Sequence, residues 1–244
     1  LISRPAHKKL IAKIDSVITV SETMKNAILN LCPDSNISVI YNGLNYQSFG
    51  EVPQNIIENI KTNLKVPREF ILSVGHFEER KNYENLIDAI KILKNNGLEV
   101  PLVIVGNDNG YRDCIKKKIS QQNLGHLVHI YSNLKDIEVQ AIYRLCKLFI
   151  FPSIYEGFGI PILESMAAKA PLISSNLDVF KEITQNKGIY FDPDSPDDIA
   201  QTIKNTLTDS SLLDDIVDYG NNRVKDFGFD SLALQLKNFY IVNK

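Results

Sequence analysis

The stretch Phe151-Pro-Ser-Ile-Tyr-Glu156-Gly-Phe-Gly-Ile-Pro-Ile-Leu-Glu164 sets two glutamates eight residues apart around a loop that contains two glycines. Just before it, the apolar run Lys147–Pro152 has the length and composition of a buried parallel strand. Just after the loop, Pro161 suits the first position of a helix, where the N–H that proline lacks is not needed. The segment therefore predicts a strand, a loop with Glu156, and a helix with Glu164 in its first turn.

This strand, loop and helix have the features of a site for a ligand that carries both phosphate and sugar. The start of a helix has unpaired N–H groups and a partial positive charge, which suit a phosphate. We expect the amides of residues 159–163 to face the same crevice as both carboxylates, whose oxygens accept hydrogen bonds from sugar hydroxyls. Gly157 and Gly159 flank Phe158, and a missing side chain lets the backbone approach a ligand closely. Alone, each glutamate would be an ordinary solvated or helix-start residue; the combination favours a site.

A second segment, Phe70–Asn82, has the features of a phosphate-binding turn. Its first half predicts a strand, and a helix from Tyr83 to Asn96 follows it, with apolar residues three and four positions apart. A basic pair in such a place is usually a solvated surface feature, but its occurrence together with the two glutamates favours contact with a diphosphate. The candidate residues of this segment are Gly75, His76, Arg80 and Lys81.

The first segment resembles the signature of glycosyltransferase family 4, whose members are retaining enzymes of the GT-B fold. The resemblance lies in the pattern Pro-Ser-x-Tyr-Glu-Gly-Phe-Gly-x-Pro-x-Leu-Glu, is most specific over residues 151–168, and extends along nearly the whole chain. It implies that Glu156 contacts the donor hexose and that Glu164 binds the ribose hydroxyls. It also implies that the diphosphate or the hexose is approached by the backbone of Gly157, Phe158, Gly159 and Ile160.

The second segment resembles the family's strand–Gly–Arg-x-x-x-x-Lys-Asn element, whose cations hold the donor diphosphate. Lys81 matches the lysine, and the resemblance assigns it, together with Glu156, to catalysis. His76 stands where many members carry an arginine. Either Arg80 compensates for that arginine or a neutral His76 donates a single hydrogen bond, and the sequence leaves both interpretations open.

The alternation of strands and helices from residue 69 onward predicts an α/β fold: a Rossmann-like parallel sheet with helices on both faces. Each predicted strand is a short apolar run bounded by polar residues, glycine or proline, as expected for strands that are buried on both sides. The predicted strands lie at about 69–75, 100–106, 127–131, 147–152, 171–175 and 188–191.

Residues 1–47 predict only a helix, the strand Ser16–Val20, the helix Glu22–Cys32 with Ser21 as its cap, and the strand Ile37–Tyr41. A second Rossmann-like domain of comparable size would need roughly 150 residues. With the resemblance, this predicts that residues 1–47 are the end of an N-terminal acceptor domain, its last βαβ unit and the interdomain turn. Residues 48–244 would then be a C-terminal donor-binding domain that ends in a crossover helix.

The resemblance implies a retaining hexosyltransferase whose donor is a nucleotide-diphosphate sugar, linked to GDP or UDP. The transferred hexose would be mannose, and the acceptor a glycan or a lipid-linked saccharide in surface polysaccharide synthesis. Lys81 and the helix at residue 160 would stabilise the departing diphosphate electrostatically. No cofactor and no divalent metal is implied.

Two other classes of function compete with this one. An oxidoreductase with a dinucleotide would also have a doubly wound sheet, but no Gly-x-Gly-x-x-Gly follows a predicted strand. A non-catalytic module of the same fold, which binds a nucleotide or a partner, stays open, because most of an acceptor domain is not expected in these residues.

Charge and composition argue against several partners. A net charge of −2 offers no general basis for nucleic-acid binding, and no apolar run approaches the ~18 residues of a membrane span. The three cysteines, an odd number in apolar stretches, are consistent with reduced thiols in the cytoplasm. His126 and His129 would share a metal only on a helix, where we predict a strand. We therefore expect a cytoplasmic chain, brought to the inner membrane surface if its acceptor is lipid-linked.

Overall fold

The computed structural model describes residues 10, 11 and 13–242. The strands are β1 (Val17–Thr19), β2 (Ile37–Val39), β3 (Ile71–Val74), β4 (Leu102–Val105), β5 (Val128–Tyr131), β6 (Leu148–Phe151), β7 (Leu172–Ser175) and β8 (Ile189–Phe191). The helices are α1 (Glu22–Leu29), α2 (Gln54–Thr62), α3 (Tyr83–Asn95), α4 (Arg112–Gln121), α5 (Asp136–Leu145), α6 (Ile160–Ala167), α7 (Asp178–Ile183), α8 (Pro196–Thr208), α9 (Ser210–Arg223) and α10 (Phe229–Val242). The helix predicted before Ser16 lies largely outside the described residues.

Strands β3 to β8 form one parallel sheet in the order β5-β4-β3-β6-β7-β8. All the strands predicted from residue 69 onward are present, each somewhat shorter than predicted. Every residue of β4 and β6 is buried, which is why these strands are apolar throughout instead of alternating with polar residues. The neighbours Ile71 and Leu72 belong to different core clusters, because successive strand residues point to opposite faces.

Helices cover both faces of this sheet. On one face α3, α4 and α8 bury Ile87, Ile115 and Ile199 completely. On the other face α2 and α5 bury Ile60 and Ile142 in a second core, to which α6 also contributes. The predicted α/β class, with a parallel sheet between two layers of helices, is confirmed.

Strand β1, helix α1 and strand β2 form a separate parallel βαβ unit. Ser21 caps α1 as predicted: its Oγ accepts a hydrogen bond from Met24 N at 3.1 Å. The helix ends at Leu29 and not at Cys32 as predicted. Pro33 disfavours the helical conformation in Cys32, the residue before it, which argues against a helix that includes Cys32.

The end of the chain returns to this first unit. The carbonyl of Phe227 accepts a hydrogen bond from Leu44 N at 2.8 Å, just before α10 begins. The side chain of Gln235, within α10, accepts one from Tyr41 N at 3.3 Å. The two units are therefore connected by contacts from the end of the chain, and the boundary that we place at residue 47 stays a prediction.

Candidate functional site

The main sheet has a topological switch point between β3 and β6, which are neighbours in the sheet but not along the chain. The connections run outward from it in both directions, so the loops after β3 and β6 diverge and leave a crevice, the usual ligand site of such sheets. A cleft of about 420 Å³ lies there, between the loop after β3 and helix α6. The predicted site residues that line it are Gly75, His76, Arg80, Lys81, Ile160 and Glu164.

Glu156 lies in the loop after β6 and pairs with both predicted cations. Its Oε1 is 2.7 Å from Nζ of Lys81 and 2.6 Å from Nη1 of Arg80. Lys81 is only 6% exposed, and its ammonium also lies 4.7 Å from the ring centroid of Phe151. A buried ammonium needs an anionic partner to offset its lost hydration. The structure thus brings the two predicted catalytic residues, Glu156 and Lys81, into direct contact.

Arg80 is held by a second carboxylate, Glu78, which sequence reasoning missed. The Nε of Arg80 lies 2.6 Å from Glu78 Oε2, and Asn109 Nδ2 donates to Glu78 Oε1 at 2.6 Å. The hydrogen bond from Asn109, followed by the charge of Arg80, lowers the pKa of Glu78. Asn109 belongs to the loop after β4, 31 positions from Glu78, so no local pattern in the sequence connects them.

Asn82 ties the loops on the two sides of the switch point together. Its backbone has a left-handed conformation with φ 56°, which asparagine tolerates better than most residues. Its side-chain amide donates to the carbonyl of Pro152 at 3.1 Å and to that of Pro193 at 2.7 Å. In addition, Ile154 N donates to the carbonyl of Arg80 at 2.9 Å. The cations and the loop that carries Glu156 therefore form one connected structure.

Glu164 lines the cleft from helix α6, but it does not lie in the first turn as predicted. The helix starts at Ile160 after Gly159, so Pro161 takes its second position and Glu164 its fifth. Burial raises the pKa of Glu164, and the hydroxyl of Tyr143, which donates to Oε2 at 2.9 Å, partly opposes that shift. Tyr143 is fully buried on the neighbouring helix α5. Its role was missed, because an apolar helix face with a tyrosine in it predicts only packing.

The amides at the start of α6 are fewer than predicted. Ile162 N and Leu163 N both donate to the carbonyl of Gly159, at 2.9 and 3.4 Å, and proline at 161 has no N–H. Of the amides of residues 159–163, those of Gly159 and Ile160 are outside the bonding pattern of the helix. These two are the backbone donors that a phosphate could use here.

The Phe158–Gly159 pair serves the core as well as the loop. Phe158 is 5% exposed, and its ring lies 6.0 Å from that of Phe227 in an edge-to-face contact. A Cβ at Gly159 would lie 3.2 Å from Ile183 and 3.3 Å from Phe180. A side chain at 159 would therefore crowd these core residues, a packing constraint that the sequence does not show. The approach of this backbone to a ligand stays a prediction.

Gly75 and Gly106 end two neighbouring strands and nearly touch. A Cβ built on Gly106 would lie 1.9 Å from the carbonyl oxygen of Gly75, so no side chain fits there. A Cβ on Gly75 would lie 3.0 Å from Cε of Lys81. Gly75 therefore packs the turn closely around the lysine. His76 and Arg80 both line the cleft, and both interpretations of the missing arginine stay predictions.

The comparison with protein families agrees with this arrangement. Residues 55–223, which include the whole main sheet and the cleft, match the family model of glycosyl transferases group 1. The chain belongs to this family. The family that the sequence motifs indicate is thereby confirmed.

The curated relatives that match this member of the family are longer than the chain. The chain is 31% identical over 237 residues to the uncharacterized glycosyltransferase MJ1607 of Methanocaldococcus jannaschii, covering 92% of this chain and 59% of the relative. It is 28% identical over 239 residues to the O-antigen chain mannosyltransferase RfbU of Salmonella typhimurium, covering 97% and 62% respectively. The chain thus spans about three fifths of the length of these relatives.

A solved structure shows the same fold. The crystal structure of HepE from Anabaena, in complex with UDP and glucose, matches with a TM-score of 0.85 at 17% identity, over 97% of this chain and 67% of that chain. At this level of identity the match concerns the fold, which is the GT-B fold predicted for this glycosyltransferase.

Glu156 is not among the residues that line the cleft at the switch point; it borders a second cavity, of about 450 Å³. The walls come from helix α1, with Met24 and Ala27, from Tyr155, and from the start of α7. Glu156 therefore stands between the cations of the cleft and a space that both units of the chain enclose.

Three further findings concern residues 10, 11 and 13–242. No three His, Cys, Asp or Glu side chains in these ranges are grouped so that they could hold a metal ion. Nor does any helix there combine the length and apolar character needed to cross a membrane. His129 lies in β5, and burial lowers its pKa.

Proposed function

We propose that this chain forms the donor-binding side of a retaining hexosyltransferase that uses a nucleoside-diphosphate sugar, with mannose as the transferred sugar. The observation that carries the proposal is the buried ammonium of Lys81, which shares a cleft with the start of helix α6 and pairs with Glu156. Cations and a helix start suit a diphosphate, while carboxylates suit the sugars on either side of it.

The diphosphate is assigned to Lys81, Arg80 and the amides of Gly159 and Ile160. Both cations share one oxygen of Glu156, and Arg80 also pairs with Glu78, so the cluster is balanced in charge and offers an anionic ligand charged N–H donors that are already held in place. Hydrogen bonds between ionised partners are stronger than neutral ones. In this proposal the two cations and the backbone amides donate hydrogen bonds to the diphosphate, and neither a metal ion nor a cofactor takes part.

The ribose is assigned to Glu164 at the opposite wall of the cleft. The carboxylate of Glu164 can accept hydrogen bonds from two vicinal hydroxyls. Tyr143 donates to only one of the two carboxylate oxygens, Oε2. Because Glu164 is buried, its carboxylate has few water molecules to bond, and each hydrogen bond from the ribose would offset part of the free-energy cost of its burial.

The hexose is assigned to the neighbourhood of Glu156, between the cleft and the second cavity. Support for mannose comes from the similarity to RfbU, which is described as an O-antigen chain mannosyltransferase. The same similarity supports a glycan, free or lipid-linked, as the acceptor. The acceptor would enter from the side of the second cavity, where the first unit of the chain contributes α1.

In the proposed reaction the acceptor hydroxyl attacks the anomeric carbon from the face that the diphosphate leaves, so the configuration is retained. The bond to the diphosphate breaks through an oxocarbenium-like state while the new glycosidic bond forms, and the proton of the acceptor hydroxyl passes to the departing phosphate oxygen on the same face. Lys81 is already held by Glu156 and Phe151 before a ligand arrives. Such preorganised charge at the leaving group is a major source of rate enhancement in enzymes.

Calorimetric titration of the chain with UDP, GDP and ADP in the presence of EDTA tests the proposal. We expect saturable binding of one nucleotide, GDP if the sugar is mannose. The same titration with the corresponding nucleotide-mannose then tests the sugar. A chain that is folded by circular dichroism but binds none of the three nucleotides would contradict the proposal. Binding without transfer of the sugar to any acceptor saccharide would favour the non-catalytic module.

A further inference from the structure

Helix α1 contacts the loop that carries Glu156 on both sides of that residue. The hydroxyl of Ser21, the N-terminal cap of α1, donates to the carbonyl of Gly157 at 2.9 Å. On the other side, the hydroxyl of Tyr155 lies 3.9 Å from Sδ of Met24, in the first turn of α1. The two neighbours of Glu156 in the chain are therefore both in contact with a helix of the other unit.

Ser21 makes two hydrogen bonds at once. Its oxygen accepts from Met24 N at 3.1 Å, which caps the helix, and its proton is directed to Gly157 O at 2.9 Å. The side chain is completely buried, so water cannot replace either bond. Capping alone needs only an acceptor, and Asp or Asn would serve as well as Ser. The bond to Gly157 needs a donor.

Glu182 fixes the start of α1 from the side of the main sheet. From helix α7 its carboxylate accepts from Glu22 N at 2.7 Å and from Thr23 N at 3.0 Å. It also accepts from the hydroxyl of Thr23 at 2.8 Å. A carboxylate at the positive end of a helix is favourable. Burial and this carboxylate raise the pKa of Tyr41, in the first unit, to about 12.

We propose that Ser21 is a positioning residue for sugar binding: it fixes the Gly157 carbonyl and with it the placement of Glu156, and Glu182 holds α1 where Ser21 can do so. This inference rests on the proposed function in assigning Glu156 to the hexose. Ser21 lies outside residues 55–223, the segment that matches the family model. The sugar end of the donor site is therefore incomplete without α1, whereas the cations and Glu164 belong to the loops and helices that follow the strands of the main sheet.

A matched pair of substitutions isolates the bond to Gly157. Ser21→Asn and Ser21→Asp are alike in size, and both are good N-caps. The Asn amide can also donate to Gly157 O, whereas the Asp carboxylate cannot. Because Asp would add a charge near Glu182, the pair is compared again with Glu182→Gln in both variants. Ser21→Ala, which loses both bonds, completes the series.

The first readout is the gain in affinity that the sugar supplies, measured by titration with GDP and with GDP-mannose (or UDP and UDP-glucose, according to the nucleotide bound). We expect Ser21→Asp to bind the nucleoside diphosphate as the unchanged chain does. Its affinity for the nucleotide-sugar should fall about fivefold, the value of one neutral hydrogen bond. Ser21→Asn should retain most of that affinity. A merely structural role would lower both affinities together, and equal nucleotide-sugar affinities in Asn and Asp variants would overturn the inference.

The second readout needs no ligand: hydrogen–deuterium exchange of residues 152–159, with the loop after β4 as the internal reference. We expect faster exchange of residues 152–159 in Ser21→Asp than in Ser21→Asn. Glu182→Ala, which leaves Ser21 and the loop unaltered, should also accelerate it, whereas Glu22→Gln, at the same helix end, should not. Equal exchange in all of these variants would overturn the inference. A chain that binds no nucleotide but shows these differences would contradict the proposed function and not the positioning.

Discussion

The ammonium nitrogen of Lys81 lies 2.7 Å from a carboxylate oxygen of Glu156, although the residues are 75 positions apart in the chain. Their contact joins the loops after β3 and β6 across the switch point. Only 8% of the Lys81 side chain and 13% of the Glu156 side chain are exposed. The buried cation therefore has an anion beside it before any ligand arrives, and a diphosphate would be a second one.

Glu156→Gln is expected to destabilise the free protein and to make it more responsive to pyrophosphate. The amide still accepts a hydrogen bond from Lys81 but no longer balances its charge, so the free energy of unfolding should fall by about 1.5–3 kcal/mol. Pyrophosphate should raise the melting temperature of the variant more than that of the unchanged chain, because it supplies the missing anion. Glu58→Gln is the control, since its exposed pair with Lys61 contributes little. Equal shifts by pyrophosphate in the variant and the unchanged chain would count against this account.

Lys81→Met is expected to weaken diphosphate binding far more than nucleoside binding. The methionine fills a similar volume, and Glu156 keeps its pair with Arg80, so the fold should persist. Loss of one charge-assisted contact of about 1.5–3 kcal/mol corresponds to a roughly ten- to hundredfold weaker affinity for the nucleoside diphosphate. Titration with the diphosphate and with the nucleoside measures both. Lys117→Ala, at an exposed position of α4, controls for the loss of a positive charge, and equal losses for the two ligands in Lys81→Met would show that Lys81 does not touch phosphate.

Glu164→Gln is expected to raise the stability of the protein at high pH while it weakens nucleoside binding. The folded-state pKa of Glu164 is raised above 4.5 by burial, so ionisation of this group costs stability as the pH rises through that pKa. The amide removes this cost. The free energy of unfolding of the variant, minus that of the unchanged chain, should therefore be larger at pH 8 than at pH 4. Urea unfolding at both pH values measures this. Nucleoside affinity should meanwhile fall about tenfold or more through weaker bonds to the ribose. A stability difference that does not change with pH would contradict the pKa argument.

Tyr143→Phe is expected to make nucleotide binding more sensitive to acid. The Tyr143 hydroxyl lowers the pKa of Glu164 against the effect of burial, so its removal should raise that pKa further. A proton then competes with the ribose hydroxyls at a higher pH. Nucleotide affinity, measured between pH 5 and 8, should begin to fall at a higher pH in the variant. The unpaired buried oxygen should also cost about 1–3 kcal/mol of stability. Parallel pH profiles would show that Tyr143 does not tune Glu164.

The sequence predicts the sheet well because its central strands are buried on both faces. Leu102–Val105 and Leu148–Phe151 can be recognised from composition alone, since a strand without a solvated side needs no alternation. The segments that carry Lys81 and Glu156 are recognised for a different reason. Their glycines, prolines and charges are close together in the chain, so the motif is visible without knowledge of the fold.

The contacts that the sequence does not reveal join residues that are far apart in the chain. Asn109 meets Glu78 only because the loops after β3 and β4 run side by side. The bond between Tyr143 and Glu164 likewise depends on how α5 and α6 face each other. Gly159 could be assigned to a loop but not to packing against Phe180, which follows from the position of α7. Side-chain direction across neighbouring elements depends on tertiary packing, and local patterns in one sequence do not show it.

The near contact of Gly106 with the carbonyl of Gly75 has a practical consequence for altering the specificity of this protein. In a combinatorial library that randomises the cleft wall, variants at residue 106 would place a Cβ against the backbone of Gly75, and variants at residue 75 would crowd Cε of Lys81 at 3.0 Å. Holding both glycines constant while varying Leu134 and Val139, which line the same cleft, avoids these two positions. Selection for a new donor should therefore leave both glycines unchanged.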